Sequence, residues 1–154
     1  MPTNLEGLVR AVVQRVRKAG VRVEGMLHAE IGPGLLILLG VGQEDDEGRT
    51  LWLAEKVARL RIFDDAQEKL NRSLLDVGGE ALVVSQFTLY GDVRKGLRPS
   101  FDKAADPAKA RELYEKFVDN LTALGVKTST GVFQTRMLIT LENDGPVTLF
   151  IESP

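Results

Sequence analysis

The chain has 154 residues, with 20 Lys and Arg against 22 Asp and Glu and a formal net charge of −2. That length suits one domain, the ordinary globular composition (44% hydrophobic, 27% charged) argues against disorder, and the charge supplies no overall positive field for nucleic acid or anionic lipid. The absence of cysteine and the single histidine exclude a disulfide framework, a thiolate nucleophile and the usual zinc ligand sets, so neither a metal nor a cofactor is expected.

The N-terminus, MPTNLEGLVR, has no charged region followed by a long apolar stretch. The longest apolar run, residues 35–39, is far short of the ~20 residues that cross a bilayer, which points to a soluble cytoplasmic protein without a membrane partner. Residues 9–16, then Val21 and Val23 alternating with Arg22 and Glu24, then residues 35–41 are rich in β-branched and aliphatic side chains and predict strands. Gly20, Gly25, Gly32, Pro33 and Gly34 mark the turns of an antiparallel set. From Glu47 to about Leu60 the period changes: Leu53, Val57 and Leu60 share a helical face that holds Trp52 nearby as core or interface packing. The acidic cluster Asp45, Asp46, Glu47 before it suits the positive end of a helix.

Residues 81–89 (ALVVSQFTL) predict a buried strand that turns polar at its end. A second helix is announced by Asp106 as N-cap and Pro107 at the first helical position, with Ala110, Leu113, Phe117, Leu121 and Leu124 on one face up to Gly125. Residues 137–141 and 147–151 predict two last strands joined by a turn over residues 142–146. With no linker, repeat or low-complexity run, the pattern is one strand-rich α/β domain with two helices on a sheet.

Four places could carry chemistry. In Ser85, Gln86, Phe87 and Thr88 an extended backbone would put Ser85 with Phe87 on one face and Gln86 with Thr88 on the other. Two polar pairs cannot both sit in a dry core. Taken alone, those four letters favour a strand leaving the core with its hydroxyls bonded to nearby backbone over a site. Asn143, Asp144, Gly145, Pro146, Val147 and Thr148 read locally as a turn, and a Gly-Pro bond is ordinarily trans. Residues 94–99 form a small basic loop that either meets phosphates or is simply solvated. Phe133 and Met137, four apart, either fill the core or wall an apolar ligand pocket. His28 lies beside turn residues and reads as a surface or turn histidine, which leaves a Ser-His-Asp triad without its base.

Taken together and in order, these segments resemble the D-aminoacyl-tRNA deacylases, once called D-tyrosyl-tRNA deacylases. The match includes residues 10–16 (RAVVQRV), 61–63 with Lys69 and Asn71, 84–89 (VSQFTL), 96–101 (GLRPSF), Phe133 with Met137, and 143–148 (NDGPVT). SQFTL and NDGPVT are the two signature motifs. The resemblance covers residues 9–154 as one domain and leaves 1–8 as an N-terminal extension. Departures are Gln67 and Glu68 where a turn glycine is usual, Leu70 for a usual Met, and Thr135 for a usual Ala.

The resemblance implies a single three-layer α/β/β domain of mixed, largely antiparallel sheets with two main helices, assembled as a homodimer with substrate sites at the interface. It implies hydrolysis of the ester of D-aminoacyl-tRNA, and of glycine mischarged on tRNA, as chiral proofreading in translation. The reacting segment is then Ser85, Gln86, Phe87 and Thr88. Main-chain N–H groups around Phe87 hold the terminal adenosine and the ester oxygen, and the substrate's own 2′-hydroxyl assists. Thr88 ranks second as a nucleophile because no base for it is visible.

Gly145-Pro146 is implied to be cis and to reach into the partner's site, where its carbonyl oxygens occupy the space an L side chain needs. Arg15 braces that loop, and Asn143, Phe133 and Met137 complete the substrate-binding set. The negative net charge means that Arg94, Lys95, Arg98, Arg17 and Lys18 must form local patches for tRNA, or the grip is mainly on the terminal adenosine. Two other readings stand beside this one: a related editing deacylase with a trans Gly-Pro that removes a mischarged L-amino acid, and a non-catalytic RNA-end binding module.

Overall fold

The computed structural model describes residues 8–154. Of the expected extension 1–8, everything but Leu8 lies outside the described residues, and Leu8 is buried. The rest is organised around β1 (Arg10–Val23). One edge of β1 pairs antiparallel along almost its whole length with β8 (Leu138–Glu152). On the other edge its first half pairs with β3 (Gly34–Gly40) and its second half with β2 (Met26–Ile31). Gly20, expected at a turn, lies inside β1 opposite Glu30 and Thr140, because ladder bonds on both sides hold a residue whose own strand preference is low. The reversal comes later, at Glu24 and Gly25, whose φ values of 50° and 79° make a two-residue hairpin turn.

β3 runs parallel to β6 (Glu80–Ser85), and β6 parallel to β7 (Lys127–Thr130). Both faces of this parallel part are covered, so its strands read as unbroken apolar runs. Leu35, Ile37, Leu39, Ala81 and Val83 pack with α1 (Glu47–Arg59) and α3 (Pro107–Ala123) on one side. Leu36, Leu82 and Val84 pack on the other side with Val16, Ala19 and Val21 of β1 and Ile31 of β2. The second half of β1 therefore folds back across the sheet with β2, giving three layers, α/β/β, of mixed and largely antiparallel strands.

Both helices begin where the sequence places them: the Asp46 carboxylate accepts from the Arg49 N–H at 2.8 Å, and Asp106 accepts from the Lys109 N–H at 3.0 Å. Asp45 does not serve the helix end. It is buried and accepts from the N–H groups of Val9 and Gly42, each at 2.7 Å, while burial pushes its carboxyl up to about 6.

Three short elements escape periodicity because they are too brief to show one. These are the hairpin of β4 (Phe63–Asp64) and β5 (Leu70–Arg72), and the single turn α2 (Leu74–Val77) between a Ser73–Asp76 capping box and Gly78. The expected strand over residues 81–89 stops at Ser85 and gives way to a 3-10 turn, Phe87–Tyr90. The two expected final strands are one, β8, broken by a bulge. Among the described residues the outer edge of β8 has no strand partner, and its Leu138, Leu141, Leu149 and Phe150 are exposed. No helix of the described residues is long and apolar enough to cross a membrane.

Candidate active site

β6 ends at Ser85 because the chain tightens there: the Gln86 N–H still donates to the Leu39 carbonyl at 2.7 Å, but the Leu89 N–H closes back on the Gln86 carbonyl at 3.2 Å. Alternation stops with the strand. The consecutive side chains Ser85, Gln86 and Phe87 can then all line one cavity of about 690 Å³, which an extended segment would not allow. Thr88 is exposed and outside that lining, and its hydroxyl accepts from the Gln86 amide. In a 3-10 turn the opening N–H groups, here those of Phe87 and Thr88, have no acceptor within the turn.

The facing wall is the loop after β7. The Gly131 N–H bonds the Val83 carbonyl at 3.0 Å, and the Met137 sulfur folds under to accept from the Val132 N–H at 3.4 Å. A Cβ on Gly131 would stand 2.7 Å from that sulfur, so a larger residue there would displace the Met137 side chain. Phe133 rests against Tyr114, with ring centroids 5.9 Å apart, and under the Arg111 guanidinium at 5.8 Å. Tyr114 itself is buried, donates to the Val83 carbonyl at 2.9 Å, and has its phenol pushed up by burial to about 12. Phe133 and Met137 both face the cavity.

The remaining side comes from Phe101, whose ring meets Phe87 edge-on at 5.0 Å, and from Pro107 and Ala110 at the start of α3. Phe101 was visible in the GLRPSF segment, whereas Pro107 and Ala110 carried only cap and core signals. Thr135 also lines the cavity, its hydroxyl donating to the Phe133 carbonyl at 3.3 Å. None of the lining side chains is ionisable. His28 is exposed on β2 and borders a different, shallow cleft with Arg111 and Asp119.

The second group of expected residues gathers elsewhere. Between the pairs Gln14–Thr148 and Val16–Asn143, the β1–β8 ladder skips residues 144–147 on one strand and Arg15 on the other, so the NDGPVT segment stands out as a bulge. Asn143 closes it: its amide donates to Gln14 (3.2 Å), the Val147 carbonyl (3.2 Å) and Thr148 (3.0 Å), and its carbonyl accepts from the Val147 N–H (2.8 Å).

Arg15 lies beneath, buried, donating to the carbonyls of Asp144 (2.8 Å) and Ile62 (2.9 Å) and to the Asp64 carboxylate (3.4 Å). Gly145 has φ 140°, and a Cβ there would meet the Val147 nitrogen at 2.9 Å, so both conformation and space call for glycine. The Gly145–Pro146 peptide is cis. Arg15, Asn143, Gly145 and Pro146 are thus brought together, and none of them borders the cavity of Ser85 and Phe87 in the same chain.

Comparison with known proteins identifies the family. The sequence profile described as D-Tyr-tRNA(Tyr) deacylase matches residues 12–152. A protein of Koribacter versatilis named D-aminoacyl-tRNA deacylase is 59% identical over 145 residues, covering 94% of this chain and 97% of its own. One of the same name from Symbiobacterium thermophilum is 57% identical over 146 residues, covering 95% and 97%. Among solved structures, one described as c-Myc DNA Unwinding Element Binding Protein superposes with a TM-score of 0.90 at 38% identity, covering 94% of this chain and 99% of that one. A probable eukaryotic D-amino acid tRNA deacylase superposes with a TM-score of 0.82 at 17% identity, a likeness of fold.

Proposed function

The chain belongs to the D-aminoacyl-tRNA deacylase family, and we propose that it hydrolyses the ester between a D-amino acid and the terminal adenosine of tRNA in the cavity at the end of β6. The observation that carries this reading is the cavity's chemistry: hydroxyl, amide, main-chain and apolar groups surround it, with no ionisable side chain. Among the described residues, the chain that forms the cavity offers no general base there, and an aminoacyl ester, already activated, does not require one. Water attacks the carbonyl carbon, the oxyanion forms, the bond to the ribose oxygen breaks, and that oxygen leaves with a proton. The N–H groups of Phe87 and Thr88, which have no acceptor within their turn, suit the oxyanion, and the 2′-hydroxyl of the same ribose orients the water and the leaving oxygen. Ser85 and Gln86 hold the adenosine beside them, while Phe133 and Met137 accept the amino-acid side chain.

Chirality is read by backbone. D and L residues present one side chain on opposite sides of Cα, so side-chain contacts cannot reject every L residue while accepting many D residues. Fixed carbonyl oxygens can. Gly145 and Pro146 are exposed and border no part of their own cavity, which supports a homodimer in which this bulge enters the partner's site. The exposed apolar side chains of β8 on either side of the bulge support the same assembly. Glycine, lacking Cβ, passes such an obstacle.

The test is a deacylation assay on D-Tyr-tRNA, L-Tyr-tRNA and glycine-charged tRNA, with a D-Tyr-tRNA ending in 2′-deoxyadenosine beside them. The expected result is rapid release of D-Tyr and glycine, an untouched L ester, and a large loss of rate on the deoxy substrate. Equal cleavage of both enantiomers removes the backbone account, and undiminished cleavage of the deoxy substrate removes the role of the ribose hydroxyl. Mixed dimers of a bulge variant with a cavity variant should regain one working site, which a site confined to one chain would not.

A further inference from the structure

The segment between the 3-10 turn and α3 has two sides. Phe101, Ala104 and Ala105 face the reacting cavity, while Ser100, Asp102 and Lys103, interspersed with them along the chain, border a second cavity of about 370 Å³. The 3-10 turn is shared in the same way: Phe87 belongs to the first cavity and Tyr90 to the second. Asp92 and Ser100 exchange both backbone bonds (2.8 and 2.9 Å), closing residues 93–99 into a loop whose Arg94, Lys95 and Arg98 border the second cavity. Four cations thus meet two carboxylates, Asp92 and Asp102, on a chain whose net charge is −2.

Charge pairing narrows the field further. Arg17 lies 3.8 Å from Asp144 and Lys18 3.7 Å from Glu30, so those two cations are already answered. Arg94 is clamped on Asp92, whose carboxyl its guanidinium holds well below the usual range. No ion pair among the described residues engages Lys95 or Arg98. Their charge stands at the rim of a concavity, directly behind the wall of the reacting site.

We propose that this second cavity is a phosphate cradle for the single-stranded 3′ end of tRNA, with Lys95 and Arg98 as its principal contacts. The proposal rests on the deacylase reading, since the strand it would hold is the one leading away from a terminal adenosine seated next door. A single strand carries one negative charge per phosphate, and neutralising each by a cation releases counterions, giving affinity without sequence preference. A cradle of this kind reconciles an acidic protein with a polyanionic substrate, because attraction is concentrated at the one place where the strand must enter.

The experiment compares two substrates, D-Tyr-tRNA and D-Tyr-adenosine, for the wild type, Lys95→Ala with Arg98→Ala, and the charge-keeping Lys95→Arg with Arg98→Lys. For the double alanine variant, KM for D-Tyr-tRNA should rise about 5- to 10-fold at low salt, and the slope of log kcat/KM against log salt should flatten by about 1.4, two single-strand phosphates' worth. Hydrolysis of D-Tyr-adenosine, which has no phosphate, should change less than twofold, and the charge-keeping variant should restore the tRNA values. An equal loss on both substrates, or an unchanged salt slope, overturns the cradle. Equilibrium binding of uncharged tRNA to the same three proteins judges it separately from the chemistry: a wild type that hydrolyses neither substrate sinks the deacylase reading, and the binding series still decides the cradle.

Discussion

The cavity at the end of β6 and the bulge of β8 are built by opposite means. The cavity is shaped by packing: Phe133 on Tyr114, Phe101 on Phe87, Met137 folded beneath Gly131. The bulge is shaped by directed hydrogen bonds from two side chains, Asn143 and Arg15, each serving several acceptors. A wall made by packing tolerates a change of residue if volume is kept, whereas a loop held by a few donors loses its position with any one of them. That contrast matches the tasks proposed for them, accommodation of varied side chains in one and rigid exclusion in the other.

The hardest test of the contrast is Arg15→Ala. It leaves the carbonyls of Ile62 and Asp144 without their buried donor, so unfolding in denaturant should show a loss of about 3 kcal/mol, and release of L-Tyr should rise above that of the wild type. The Asp64 partner is half exposed and adds little to that figure. Arg15→Lys should recover only a minor part, because one ammonium cannot span two carbonyls on different elements. A variant of normal stability and unaltered stereoselectivity would abolish the distinction between the two regions.

Asp45 belongs with the bulge in kind, a buried polar group with two specific donors, and it gives the contrast a pH form. Its folded carboxyl titrates near 6 against an unfolded value of 3.8, so the native state holds the proton longer than the unfolded state. Stability contributed by this group is full below about pH 4, falls as pH rises toward 6, and stays low above it. Subtracting the unfolding free energies of Asp45→Asn from those of the wild type across pH 4 to 7 should isolate a difference of that sign.

On the packed side, Phe133→Ala should cost about 2 kcal/mol and raise KM for D-Tyr-tRNA, while Phe133→Leu should retain most activity. Smallest of all is Thr135→Ala, which removes only one weak bond to the Phe133 carbonyl: within about 0.5 kcal/mol in stability, with rate on D-Tyr-tRNA nearly unchanged. A large effect at Thr135 would mean that the cavity, too, depends on a directed contact.

What the sequence disclosed follows the same line. Asp106, Pro107 and the apolar face up to Leu124 announced α3 to within a residue or two, because caps and periodicity are local. The apolar runs of β3 and β6 disclosed strands under helices, and the third layer came only from the family resemblance. The end of β6 was not: ALVVSQFTL has no glycine or proline at Ser85, and the break is set by Leu39 and Gly40 of the neighbouring strand, against which the 3-10 turn packs. Nor could local pattern separate a bulge from a turn in NDGPVT, since the difference lies in whether both flanks pair with β1. The candidate residues were found through their order along the chain. Their sorting into two distant groups, and the parts of Phe101, Pro107 and Ala110, required the fold. Glu68 has φ 60°, a left-handed conformation that glycine adopts more easily, in the segment where the resemblance leads one to expect a turn glycine.

The open flank of β8 carries a cost in the cell. Among the described residues β8 has no strand on its outer side and carries apolar side chains there, and such flanks promote clumping unless something covers them. In the homodimer proposed above that flank would be covered, so its stability would depend on protein concentration.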